Sequence, residues 1–151
     1  KNPRAALYSA DIYTQQEAWQ QAESIYQELV QKNPQNSKYY NHLALFLGNR
    51  GQLKESLRLL NKALDLDPDY SVAHFNRGIF LDKIGDAGGA LRAYQKAVAL
   101  DPKSAHYQYV MGMFYMKRTD HPELGRQHLK KSLRLNPDQS SAKTIEQTLN
   151  P

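Results

Sequence analysis

The chain has 151 residues, 40% of them apolar and 23% charged, with a net charge of +5. That size and balance fit one ordinary domain or a short repeat array and argue against a disordered or collagenous chain. There is no Cys, which excludes disulfides, thiolate metal sites and cysteine nucleophiles, and no apolar run long enough for a membrane-spanning helix.

Seven prolines lie at positions 3, 34, 68, 102, 122, 137 and 151. Pro34, Pro68 and Pro102 follow one another at intervals of 34 residues, and Pro137 comes 35 residues after Pro102. Proline lacks an N–H and clashes with the preceding turn, so a recurring proline implies a recurring helix boundary. A fixed period of this size marks a stacked repeat. The preceding segments agree: Glu28 to Asn33, Lys62 to Asp67, Lys96 to Asp101 and Lys131 to Asn136 each read as a helical end with apolar residues and finish in Asp or Asn. Asp/Asn-Pro favours a turn and is expected to cap the helix that follows.

Counting back from the prolines gives units at 3–36, 37–70, 71–104 and 105–138, with a tail at 139–151. Small residues recur at Ala10, Ala44, Gly78 and Gly112, and again at Ala22, Ser56, Ala90 and Gly125. Large residues recur beside them at Tyr13, Leu47, Leu81 and Tyr115, then at Tyr26, Leu60, Tyr94 and Leu129. This predicts two closely packed helices per unit, small side chains letting the backbones approach while large ones fill the space alongside. Gly51 and Gly85 supply the turn between helices; unit one has no such glycine. Pro122 is expected in the first turn of the second helix of unit four. In the tail, Ala142, Ile145 and Leu149 form one stripe, which predicts a helix covering the last unit, with Ser140 or Ser141 at its start. Lys1-Asn2-Pro3 repeats the Lys32-Asn33-Pro34 junction and reads as a repeat boundary with more protein upstream.

The succession large-x2-Leu-Gly/Ala-x2-Tyr, then Ala-x3-Tyr/Phe-x2-Ala-x4-Pro, resembles the tetratricopeptide repeat. Unit three carries it through Gly78, Leu81, Gly85, Asp86, Ala90, Tyr94, Ala97 and Pro102. Unit two carries it through Tyr40, Leu43, Ala44, Leu47, Gly51, Leu60, Ala63 and Pro68. The resemblance implies an all-α solenoid of four helix-turn-helix units in a right-handed superhelix, closed by a C-terminal capping helix. It also implies that the first helix of each unit lines a concave groove.

Carried over position by position, the groove is polar and mixed at its N-terminal end, with Arg4, Leu7, Asp11, Thr14, Gln15, Lys38 and Asn41. Further along it offers Leu45, Asn49, Phe75, Ile79, Asp82 and Lys83, then His106, Tyr109, Met113, Met116 and Lys117. An apolar patch rimmed by charges marks a partner site, and Met and Tyr suit adaptable contacts with a peptide or helix. The same residues packing against neighbouring helices is the competing reading. Family members that grip heat-shock chaperone C-termini need Lys, Asn and Arg at positions where this chain has Leu7, Asp11, His42, Val72 and Asn76, or Asn41, Leu45, Asn76, His106 and Val110. Only Asn76 fits, which argues against chaperone tails as partners.

Charge drifts along the chain, from −1 over residues 1–36 to +1, +2 and +3 over the next three units. Lys117, Arg118, Arg126, Lys130, Lys131 and Arg134 make the C-terminal end basic. Such a patch would steer an acidic partner or an anionic polymer, or be a solvated helix face; no RNA-binding signature accompanies it. No Gly-x-Ser-x-Gly, phosphate loop or His-Glu-x-x-His is present. No metal site and no cofactor is expected. Asp65, Asp67 and Asp69 begin like a calcium loop, but Pro68 interrupts it. The reading is a non-catalytic adaptor for a protein or peptide, with a structural or self-associating array as the alternative.

Overall fold

A computed structural model describes residues 2–150, so Lys1 and Pro151, and the readings placed on them, lie outside the described residues. The helices are α1 (Pro3–Gln15), α2 (Trp19–Lys32), α3 (Ser37–Asn49), α4 (Leu53–Leu66), α5 (Ser71–Lys83), α6 (Ala87–Leu100), α7 (Ala105–Arg118), α8 (Pro122–Leu135) and α9 (Ala142–Leu149). No strand occurs among the described residues. Pro34, Pro68, Pro102 and Pro137 all fall between helices.

The residue before each of these prolines closes the preceding helix rather than capping the following one. Asn33, Asp67, Asp101 and Asn136 are C-caps, their N–H groups donating to the carbonyls of Leu29, Ala63, Ala97 and Ser132. The next helix is capped from further on: Asn36 accepts from the Lys38 N–H and Ser104 from the Tyr107 N–H. Physically, the prolyl ring forces the preceding residue out of helical geometry, which leaves the capping to a side chain beyond the turn.

The chain divides into two compact units, one ending at Asn76 and one beginning at Arg77. In the first, α1 packs on α2, α2 on α3 and α3 on α4. Ala10, Ala22, Ala44 and Ser56 are fully buried at the helix crossings. The Ser56 hydroxyl donates to the Ala44 carbonyl at 2.7 Å, joining the two small-residue positions of one helix pair. The Tyr26 ring lies 5.3 Å from Phe46, filling the space between α2 and α3. Gly51 turns α3 into α4 with φ of +84°. Glu17 occupies the corresponding left-handed conformation between α1 and α2, with φ of +59°, which costs a residue with a Cβ about 1–2 kcal/mol.

In the second unit the approach is closer still. A methyl group on Gly78 would lie 2.6 Å from the Tyr94 ring, and one on Gly112 would lie 2.7 Å from Leu129. Tyr94 meets Phe114 edge-on at 5.4 Å, repeating the Tyr26–Phe46 contact of the first unit. Pro122 stands at the start of α8. The Asp86 side chain caps α6 by accepting from the Gly89 N–H at 2.8 Å. At the far end α9 covers α8 and Ile145 is fully buried; Ser141 precedes the helix without bonding through its side chain. On α1, Ile12 is 52% exposed where Phe46 and Phe114, one and three repeats later, are 5% exposed.

Candidate peptide-binding face

The sequence-predicted groove residues are distributed over both units. In the first, Leu45 is half-buried and Asn49 exposed on α3. Asn41 and Phe75 hold the same repeat position and both are buried. Asn76, beside Phe75, donates its amide to Asn41 Oδ1 at 2.9 Å, so α3 and α5 close on each other there. Phe75 is therefore a core residue and not an exposed anchor. The same bond engages the one asparagine that matched the chaperone-binding pattern.

Nearby, the Tyr26 hydroxyl donates to Asp11 Oδ1 at 2.6 Å. Burial, and then this bond, push the phenol up to about 12. His42 is held below the ordinary histidine range, mainly by burial, with Lys38 adding to the effect and Asp11 opposing it. The Tyr26–Asp11 bond thus joins α2 to α1 in the first unit.

The second unit presents a simpler face. Ser104 fixes the start of α7, and Gly112 presses the opposite side of that helix onto α8. Tyr109 and Met113 lie one turn apart on α7 and are both half-buried, with His106 and Lys117 exposed at the two ends of the row. Met116 lies against α8: a methyl group on Gly125 would come within 2.9 Å of its sulfur. It contributes less free surface than its place in the repeat implies. Arg118 meets Asp82 at 3.1 Å, which ties the end of α7 to the end of α5, the helix that carries the half-buried Ile79. Lys83 lies 5.3 Å above the Phe80 ring. The charges flanking this face are thus partly engaged within the chain.

The basic residues separate into groups. Arg118 is paired, as described, while Lys117 and Arg126 are exposed. Lys130, Lys131 and Arg134 line a cleft with His128 and Gln108. Gln108 and its bond to His128 were not legible in the sequence, where a glutamine in a helix reads as surface. Nor was the Arg50 guanidinium stacked 4.7 Å over Trp19, because neither residue repeats.

A model of YpiA-like C-terminal tetratricopeptide repeats matches residues 3–70, and a second tetratricopeptide-repeat model matches residues 50–114. The chain belongs to the tetratricopeptide-repeat family. Its helix pairs form the all-α solenoid fold of that family. Among solved structures, a thermophilic tetratricopeptide-repeat protein of Thermus thermophilus aligns over 99% of this chain and 82% of its own, with a TM-score of 0.84 and 19% identity. MamA from Desulfovibrio magneticus RS-1 aligns over 97% and 90%, with a TM-score of 0.76 and 19% identity. YrrB, described as having an unusual peptide-binding site, aligns over 96% and 74%, with a TM-score of 0.75 and 22% identity. A comparison with curated proteins finds no match. Tetratricopeptide repeats are typically protein-interaction scaffolds.

Proposed function

We propose that this chain is a non-catalytic adaptor that holds a partner peptide or helix against the face formed by Ile79, Tyr109 and Met113, within a larger assembly, secretion or maturation complex. The observation that carries this reading is the half-buried row of Tyr109 and Met113, one turn apart on α7. Large, adaptable side chains with a polar tip provide contact area to a peptide at low ordering cost. The likeness in fold to YrrB supports a peptide as ligand. The test is selection of a random displayed peptide library on the immobilised chain. Enriched peptides that lose binding to a Tyr109→Ala variant support the adaptor reading; an absence of enrichment sinks it.

A second reading rests on a different place. Tyr8 and Ile12, 72% and 52% exposed and one turn apart on α1, present an apolar strip that favours self-association with a second copy. Light scattering over a concentration series decides it. A dimer abolished by Ile12→Glu supports this reading, and a monomer throughout removes it.

A further inference from the structure

The geometry points to a second binding site, an anion-accepting cleft formed by α6, α7 and α8, whose occupant is a stretch of acidic peptide. The cleft encloses about 430 Å³ and is lined by Val98, Gln108, His128, Lys130, Lys131 and Arg134, with Gln127 at its margin. None of these residues is acidic, and none of the three cations has a carboxylate partner among the described residues.

The fold alone does not produce this imbalance. The equivalent cleft of the first unit, formed by α2, α3 and α4, is about 450 Å³ and carries Glu23 and Glu55 alongside Arg58 and Lys62. There Arg58 bonds Glu55 through two nitrogens, at 2.9 and 2.6 Å, so the charges are answered within the chain. In the second unit the cations stand on the same helix of the repeat with no such answer. Three like charges within five residues of one helix repel one another, and an external carboxylate relieves that repulsion.

The floor of the cleft is fixed. The Gln108 side chain is fully buried, and its amide nitrogen donates to the Pro102 carbonyl at 3.0 Å. Its oxygen therefore faces His128 Nδ1 at 2.7 Å and accepts from it. The imidazole is also stacked on Tyr115, with centroids 5.6 Å apart and planes 9° from parallel. Held on two sides, the ring keeps Nε2 as its remaining polar atom, without a hydrogen bond among the described residues.

An acidic peptide fits this lining better than nucleic acid does. The cations are confined to one cleft instead of following a backbone track, and Tyr115, the aromatic residue beneath it, is buried and already stacked. Val98 adds an apolar wall for the stem of a Glu side chain, and the exposed Gln127 adds an amide partner. None of these residues belongs to the α7 face, so this site and the adaptor reading fail separately.

The test uses a fluorescent hexaglutamate peptide and, in parallel, a single-stranded oligonucleotide of equal charge, titrated into the full chain. The His128 ring protons are followed by NMR. The peptide is expected to bind and shift the His128 signals, and Lys131→Glu combined with Arg134→Glu to weaken it by about tenfold or more. Lys54→Glu with Lys62→Glu makes the same change of net charge in the first unit and is expected to alter affinity less than about twofold. Equal losses in both double variants would reduce the effect to overall charge and overturn the proposal. So would an oligonucleotide that binds more tightly than the peptide and is lost with the same α8 variant. Circular dichroism melts confirm that each variant is folded.

Discussion

Gly112 and Gly125 face each other where α7 and α8 touch: a methyl group on Gly125 would stand 2.8 Å from the Gly112 carbonyl oxygen. This contact lets the backbones of α7 and α8 approach closely. Gly112→Ala would push against Leu129 at 2.7 Å and against the Gly125 carbonyl at 3.0 Å. A loss of about 1–3 kcal/mol is expected in urea unfolding. Gly88→Ala is the control. A methyl group there would come no closer than 3.7 Å to any neighbour, and the exposed first turn of α6 should gain up to about 1 kcal/mol.

Glu17 stands where the later turns use Gly51 and Gly85. Glu17→Gly removes the left-handed penalty and adds flexibility to the unfolded chain. The first effect is the larger, so a gain of about 0.5–1 kcal/mol is expected in the same measurement.

The Asn41–Asn76 bond is buried and joins two helices. Asn76→Ala would leave the Asn41 oxygen without its donor, at a cost of about 1–3 kcal/mol. A double-mutant cycle with Asn41→Ala should show coupling of about 0.5 kcal/mol or more, and additivity would show that the two side chains do not act together.

Two histidines are expected to make the fold less stable in acid. His42 and His128 are both held below the ordinary value of 6.5, mainly by burial, aided by Lys38 and Lys131 respectively. The unfolded chain therefore takes up protons first as the pH falls. The stability these rings contribute is present above about 6.5 and is lost as the pH drops through their lower folded values. A His42→Gln, His128→Gln chain should have a melting temperature that falls less between pH 7 and 5 than the parent's. An equal fall would assign the acid sensitivity elsewhere.

Much of the fold was legible because the constraints that repeat are steric. Proline at a fixed interval cannot sit inside a helix, and Gly78 opposite Tyr94, or Gly112 opposite Leu129, is a volume match that survives changes in surface residues. The turn at Glu17 was hidden because the chain bears strain there instead of using glycine. The candidate site was less legible. A repeat pattern assigns a residue to a face, but burial depends on what the neighbouring helix carries. Phe75 is buried beside the Asn76–Asn41 bond, and Met116 lies on Gly125; neither feature was marked by the repeat pattern. Tyr109 and Met113 are the half-buried apolar part of the α7 row.

The most direct measurement is the affinity of a display-selected peptide, by isothermal titration, for the parent chain, for Tyr109→Ala and for Phe75→Ala, each beside a thermal melt. Tyr109→Ala is expected to keep the parent's melting temperature within a few degrees and to weaken binding by about tenfold. Phe75→Ala is expected to lose about 3–5 kcal/mol of stability, as a buried ring should. Unchanged affinity in a folded Tyr109→Ala chain would contradict a peptide held on the α7 face.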